Sequence, residues 1–290
     1  MMNRRQLLRG SLLSAGALAL GHAVWATEAA LPLASEQPFR HSACRWCYQG
    51  IPLEELCERG QDIGLQSIEL LKPDEWPIVL KAGLGCAVAT ADFIRIPDGF
   101  NDRQQHARLQ AQYPALIRQA ADASIPNVIC FSGNRRGMRD DKGLENCARG
   151  LEPLVRIAES AGVTLIMELL NSKVDHRDYM ADHTEWGVAL VNKIGSPHFR
   201  LLYDIYHMQI MEGDLIRTIQ THHTHLAHYH TGGVPGRHEI NASQEINYPA
   251  VVRAIAATGY TGYLGQEFIP TYDDKLAALA EGVGICSVTS

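Results

Sequence analysis

The sequence contains no low-complexity stretch and no internal repeat at a fixed period, which excludes solenoids and other repeat architectures. No Gly-rich dinucleotide loop follows the first candidate strand, and Gly232-Gly233 and Gly133-Asn134-Arg135 are too short to be phosphate fingerprints. That absence weighs against a doubly wound open sheet. Basic residues are in deficit: 26 Lys and Arg stand against 32 Asp and Glu, a formal charge of −6. Such a balance repels phosphate backbones, so nucleic acid is not an expected partner. It is silent on small neutral substrates. What is present is ordinary globular composition, 290 residues with 46% hydrophobic and 20% charged, enough to bury a full core. An α/β barrel of about 250 residues forms one domain.

The first residues read as an address rather than as part of the fold. Asn3 to Arg9 is basic, Ser11 to Leu20 is a small apolar run, and Val24-Trp25-Ala26 offers small residues to a signal peptidase. This is the layout of a secretory signal, and the run is too short to span a bilayer comfortably, so no stable membrane span is expected. Arg4-Arg5 before Leu7-Leu8 looks like a twin-arginine signal, with a periplasmic or exported destination. The expected organisation is therefore a signal segment over residues 1–26, a linker over 27–38 and a catalytic domain over 39–290. Cleavage after Ala26 would remove three arginines and no acid, moving the charge from −6 to −9.

Seven cysteines occur at irregular spacing. Cys44-Arg45-Trp46-Cys47 has redox-motif spacing, but its flanks match no thioredoxin-like pattern. The plain reading makes most of the seven small apolar core residues.

From residue 39 the pattern alternates between short β-rich runs and longer amphipathic stretches. Candidate strands are His41–Cys44, Ser67–Leu71, Cys86–Ala91, Asn127–Phe131, Thr164–Glu168, Phe199–Asp204, His225–His230 and Gly262–Glu267. Between them, Leu144, Cys147, Leu151, Leu154, Val155 and Ala158 recur at helical spacing. Asn247 caps a candidate helix with Pro249 in its first turn and Gly259 past its end. Pro114 inside a Gln104–Ala123 helix implies a kink or a later start. Eight strand–helix units predict an α/β fold, a single-domain (β/α)8 TIM barrel.

The chemistry sits at the ends of the last four strands. Leu165-Ile166-Met167-Glu168, Leu201-Leu202-Tyr203-Asp204, Ala227-His228-Tyr229-His230 and Leu264-Gly265-Gln266-Glu267 are each an apolar or aromatic run ending in a metal-ligand side chain. Barrel strands gather their C-terminal ends around one opening. A carboxylate there is costly unless paired, and three carboxylates repel one another. A divalent cation removes both penalties. Three oxygen donors and one nitrogen suit Mn2+, Mg2+ or Co2+, with Zn2+ as an alternative. Singly, each residue also reads as a salt-bridge partner, a helix cap or a core histidine. Glu69 ends the second candidate strand, either at the same opening or as a partner of Lys72.

Met167-Glu168-Leu169-Leu170-Asn171, Tyr203 to Gln209, His228-Tyr229-His230 with Val234-Pro235-Gly236-Arg237, and Gly262 to Glu267 resemble the hydroxypyruvate isomerase family, among the xylose-isomerase-like barrels. The resemblance implies that Glu168, Asp204, His230 and Glu267 hold one metal ion, and that His207 and Arg237 contact substrate oxygens. Asn171, just past the β-run of Glu168, and Glu69 are further candidate substrate contacts. His230 departs from the pattern: hydroxypyruvate isomerases tend to carry Gln there, and the related ketose 3-epimerases carry His.

The implied chemistry is proton transfer through an enediolate, with Glu168 and Glu267 removing and delivering the proton. Delivery to the neighbouring carbon isomerises a small sugar or hydroxy-keto acid. Delivery to the same carbon makes a ketose 3-epimerase or keto-glycoside enzyme. An endonuclease IV-like phosphodiesterase would need more strand-end histidines and a basic groove, and a non-catalytic sugar-binding protein would have no use for a proton-transfer pair. Barrels of this kind are often dimers or tetramers, so a homo-oligomer is also implied.

Overall fold

A computed structural model describes residues 38–287. The expected signal segment and nearly all of the linker lie outside the described residues.

Eight parallel strands form the centre: β1 Arg40–Cys44, β2 Ser67–Glu69, β3 Val88–Ala89, β4 Asn127–Cys130, β5 Thr164–Leu169, β6 Phe199–Asp204, β7 Leu226–Thr231 and β8 Tyr263–Gln266. Each pairs with its neighbours around the order β2-β1-β8-β7-β6-β5-β4-β3. The ring closes between β2 and β3 through single bridges, Ser67 with Gly85 and Leu71 with Ala89. Backbone hydrogen bonds from Leu70 N to Val88 O (2.8 Å) and Thr90 N to Leu71 O (2.9 Å) support that seam. This is the expected TIM barrel. The irregular seam explains why the apolar run Cys86–Ala91 yields only a two-residue strand.

Helices cover the outside. In Asp140–Ala161, Cys147, Leu151, Leu154, Val155 and Ala158 form the buried face, and Leu144 packs half-buried beside them. This helix stops at Gly162, whose φ of 70° is the left-handed conformation that glycine adopts without a Cβ penalty. Asn247 caps Tyr248–Ala257 by accepting from Ala250 N. The helix around Pro114 has no later start. It runs unbroken from Arg103 to Asp122, capped by Asp102, whose side chain accepts from Gln104 N. Proline removes one backbone donor, and the neighbouring buried residues Tyr113, Leu116 and Ile117 hold this stretch against the barrel.

Two apolar layers result. A large one lies between strands and helices. A small one, formed by Ala87, Val88, Ile129, Ile166, Leu202 and Tyr263, fills the barrel interior. All seven cysteines are buried and unpaired.

Candidate active site

Side chains two apart on a strand share a face. Ile166 and Leu202 point into the barrel, so Glu168 and Asp204 follow them inward one level higher. His228 and His230 are related in the same way on β7. Glu267 follows β8 by one residue. The four residues read from the strand ends therefore converge: one donor atom from each of Glu168, Asp204, His230 and Glu267 lies within 4.8 Å of all the others. None is more than 4% exposed.

Three buried carboxylates in that space need positive charge. His230 Nδ1 lies 2.8 Å from Glu267 and 3.4 Å from Glu168. Arg237 Nη2 lies 3.0 Å from Asp204 Oδ2 and also donates to Glu267 Oε2. Trp46 Nε1 donates to the other Glu267 oxygen at 2.7 Å. The electrostatic consequences differ among the acids. Burial pushes the Asp204 carboxyl up to about 8, against the pull of Arg237 and with repulsion from Glu267 and Glu168. Burial and then the charge of Glu267 raise Glu168. Burial also works to raise Glu267, but His230 and Arg237 outweigh it and hold that carboxyl well below the usual range.

Two buried atoms at the cluster centre, His230 Nδ1 and Glu168 Oε1, have no hydrogen-bond partner. The 2.8 Å approach of His230 Nδ1 to Glu267 is thus a close contact without hydrogen-bonding direction. Three carboxylates and a bare imidazole nitrogen around such atoms fit a divalent cation, with Glu168, Asp204, His230 and Glu267 as the residues that would hold it.

The surrounding residues are held by identifiable local structure. Asp204 is the N-cap of the helix Ile205–Met211, its Oδ1 accepting from His207 N at 3.1 Å. His207 is thereby fixed in the first turn. Asn171 Oδ1 accepts from Val174 N and Asp175 N, which orients its amide so that Nδ2 donates to His207 Nδ1 at 2.7 Å. The other ring nitrogen, Nε2, lies 3.0 Å from Arg237 Nη1, so His207 is held between the Asn171 amide and the Arg237 guanidinium. Arg237 itself sits at φ 59°, a left-handed conformation uncommon for a side-chain-bearing residue. Hydrogen bonds from Arg237 N to Gly233 O and from Ile269 N to Arg237 O hold it there. A Cβ at Gly233 would lie 2.3 Å from Glu239 O, so the turn closes only with glycine.

The cluster opens into a cavity of about 790 Å3. Glu168, Glu267 and Arg237 line it, as do Trp46, Phe131 and His176. Asp204, His230 and His207 lie beneath its floor, fully buried. Two expected substrate contacts are placed differently. Asn171 is fully buried and touches His207, because its carbonyl is committed to the loop backbone. Glu69 is fully buried and faces His228 and His230 rather than Lys72, which pairs with Asp92. His176 escaped the sequence reading because it lies in a βα loop without periodicity. His228 had a usable signal, the His-x-His alternation that puts it on the face of His230. Among the described residues, every group able to ligate a metal lies at this end, none near His222, His223 and His225.

The loop Gly133–Gly137, basic in sequence, acts as a clasp. Arg135 pairs with Asp182 at 2.8 Å, and Arg136 with Asp98 at 2.8 Å.

A family profile described as xylose isomerase-like TIM barrel matches residues 78–284. The chain belongs to that family. Among curated relatives of this xylose isomerase-like barrel, 2-oxo-tetronate isomerase of Cupriavidus necator is 32% identical over 39% of this chain and 43% of its own length. Hydroxypyruvate isomerase of Escherichia coli is 29% identical over 54% of this chain and 60% of its own. The chain spans about half the length of the first curated relatives it matches. Two solved structures share the fold. One, titled as an AP endonuclease of family 2 from Brucella melitensis, has a TM-score of 0.74 at 21% identity, covering 84% of this chain and 98% of that one. An L-ribulose 3-epimerase has a TM-score of 0.71 at 20% identity, covering 85% and 92%.

Proposed function

We propose that this chain is a divalent-metal-dependent isomerase of small hydroxy-carbonyl compounds, a sugar or hydroxy-keto acid, working through an enediolate. The observation that carries this reading is the buried cluster of Glu168, Asp204, His230 and Glu267 opening into a cavity that two of its carboxylates line. The names of the curated relatives, hydroxypyruvate isomerase and 2-oxo-tetronate isomerase, support it.

A bound divalent cation supplies Lewis-acid polarisation of adjacent carbonyl and hydroxyl oxygens. The protein's own residues do the rest. Glu168 on β5 and Glu267 after β8 stand three strands apart around the ring, so they reach a substrate from different sides. One takes the proton from carbon, and the other delivers it. Arg237, which lines the cavity, presents its guanidinium to substrate oxygens, and His207 braces that guanidinium from beneath.

His230 supports a second reading, a ketose 3-epimerase or keto-glycoside enzyme, in which the proton returns to the same carbon. The N-terminal motif supports export by the twin-arginine route. The excess of acidic residues supports a small-molecule substrate over a nucleic acid.

The test is proton exchange into D2O from a panel of hydroxypyruvate, tetrulosonates, ketopentoses and ketohexoses, after reconstitution with Mn2+, Mg2+, Co2+ or Zn2+. Exchange with carbonyl migration supports isomerisation, and exchange with inversion at one carbon assigns the epimerase instead. Absence of exchange from every compound, with no specific metal uptake, sinks the proposal.

A further inference from the structure

Glu69, the last residue of β2, is buried under the site and takes no part in the chemistry described so far. Its Oε1 lies 2.6 Å from His230 Nε2 and 2.8 Å from His228 Nε2. An ionised carboxylate only accepts hydrogen bonds. Both imidazoles therefore carry a proton on Nε2, and for a neutral ring the lone pair falls on Nδ1. In His230 that is the nitrogen facing Glu168 and Glu267.

The contact crosses the barrel. β2 and β7 are separated by β1 and β8, and the carboxylate passes because β8 carries Gly265 at this level. A Cβ there would lie 2.6 Å from Glu69 Oε1 and 2.8 Å from His230 Cδ2. On β1, Cys44 Sγ packs 3.6 Å from both Glu69 Oε1 and His230 Nε2, closing the remaining side.

We propose that Glu69, admitted across the barrel by Gly265, is a positioning residue that fixes the tautomer and orientation of His230 and so presents its Nδ1 as a ligand. It neither touches substrate nor ligates. The inference rests on the proposed metal site. Glu69, His228 and His230 also form a group whose donor atoms lie within 4.8 Å of one another, so a second cation is the competing account. The observed distances favour hydrogen bonds: both Nε2 atoms point at one oxygen, and a protonated nitrogen has no lone pair for a metal.

The test combines two measurements on the full chain. Histidine 15N correlation spectra of the metal-free protein report the His228 tautomer, and spectra with Zn2+ bound report both rings. Calorimetric titration with Mn2+ and Co2+ gives affinity and stoichiometry. Nε2–H tautomers and one cation per chain are expected. Glu69→Ala should weaken that cation roughly 10- to 100-fold and release the His228 tautomer preference. Gly265→Ala should act in the same direction by displacing the carboxylate. Glu69→Gln keeps an accepting oxygen and should restore most of the affinity. Unchanged affinity in Glu69→Ala, an Nδ1–H tautomer in the native protein, or a second cation lost with Glu69 would each overturn the proposal. If the native protein takes up no metal, the functional reading fails, while the His228 spectrum still decides whether Glu69 sets the tautomer.

Discussion

The two halves of the barrel are built differently. In the second half, β5, β6 and β7 each run six residues in parallel pairing, interrupted by one register shift between β6 and β7 at Leu201/Leu202, and every residue of the four-ligand cluster sits on or directly after β5 to β8. In the first half, β2 and β3 have three and two residues and meet only through bridges. That half supplies Leu70, Thr90, Ile129 and Phe131 to the cavity. Crowded carboxylates need fixed positions, and the longer strand pairing above that shift, Leu202 with His228 to Asp204 with His230, provides them. A wall that only excludes water and shapes the substrate tolerates a looser frame. The four-residue cluster thus occupies one side of the opening and the apolar wall the other, with Arg45, Lys72 and Glu75 of the first half also lining the cavity.

The largest effect should come from breaking the charged half. Glu168→Gln or Glu267→Gln should lower proton exchange by roughly 10²- to 10⁴-fold, measured in D2O with the fold checked by circular dichroism. A variant that retains full exchange would end the division of labour argued above. Removing the cation comes next. At a free-ion level about 100 times the dissociation constant, chelation should cost about 2.7 kcal/mol, a fall of roughly 5–10 °C in Tm. Asp204→Asn, which keeps an oxygen for the helix cap, should abolish most of that difference.

The first half offers a pH test. His41 on β1 is buried with neither ring nitrogen paired, and burial lowers its pKa from 6.5 to about 4. The unfolded chain therefore binds the proton first as pH falls. The native state carries no penalty from this group above pH 6.5, and stability declines between 6.5 and 4. The loss is about 2 kcal/mol at pH 5, and urea unfolding of His41→Leu should show a flatter profile. The smallest effect belongs to the wall. Phe131→Ala should raise KM roughly tenfold with kcat little changed, because an apolar wall binds ground and transition states alike. A fall in kcat instead would place this half in the chemistry.

Legibility in sequence followed the same division. The ends of β5 to β8 were readable because each is an apolar run broken by a single donor residue, and a barrel brings such ends together. Glu69 was visible as a strand-end acid, yet its partners lie 159 and 161 residues away across the barrel interior, a relation that no local pattern encodes. Asn171 was readable as a neighbour of the site, but not as the group that holds the His207 ring. The short β3 was over-read, since apolar alternation does not report whether a neighbouring strand offers regular pairing. A later helix start at Pro114 did not follow, because local propensity yielded to burial of the residues around it.

The double use of Asp204 bears on how such a site can change over time. One oxygen starts a helix while the other faces the cluster. A drift in metal preference by substitution at 204 would have to preserve both uses at once, which leaves Asn as the conservative step. His230 carries no such second duty to the backbone. Its tie is to the Glu69 side chain, so laboratory selection for altered metal or substrate preference should accumulate changes at 230 together with 69 before it touches 204.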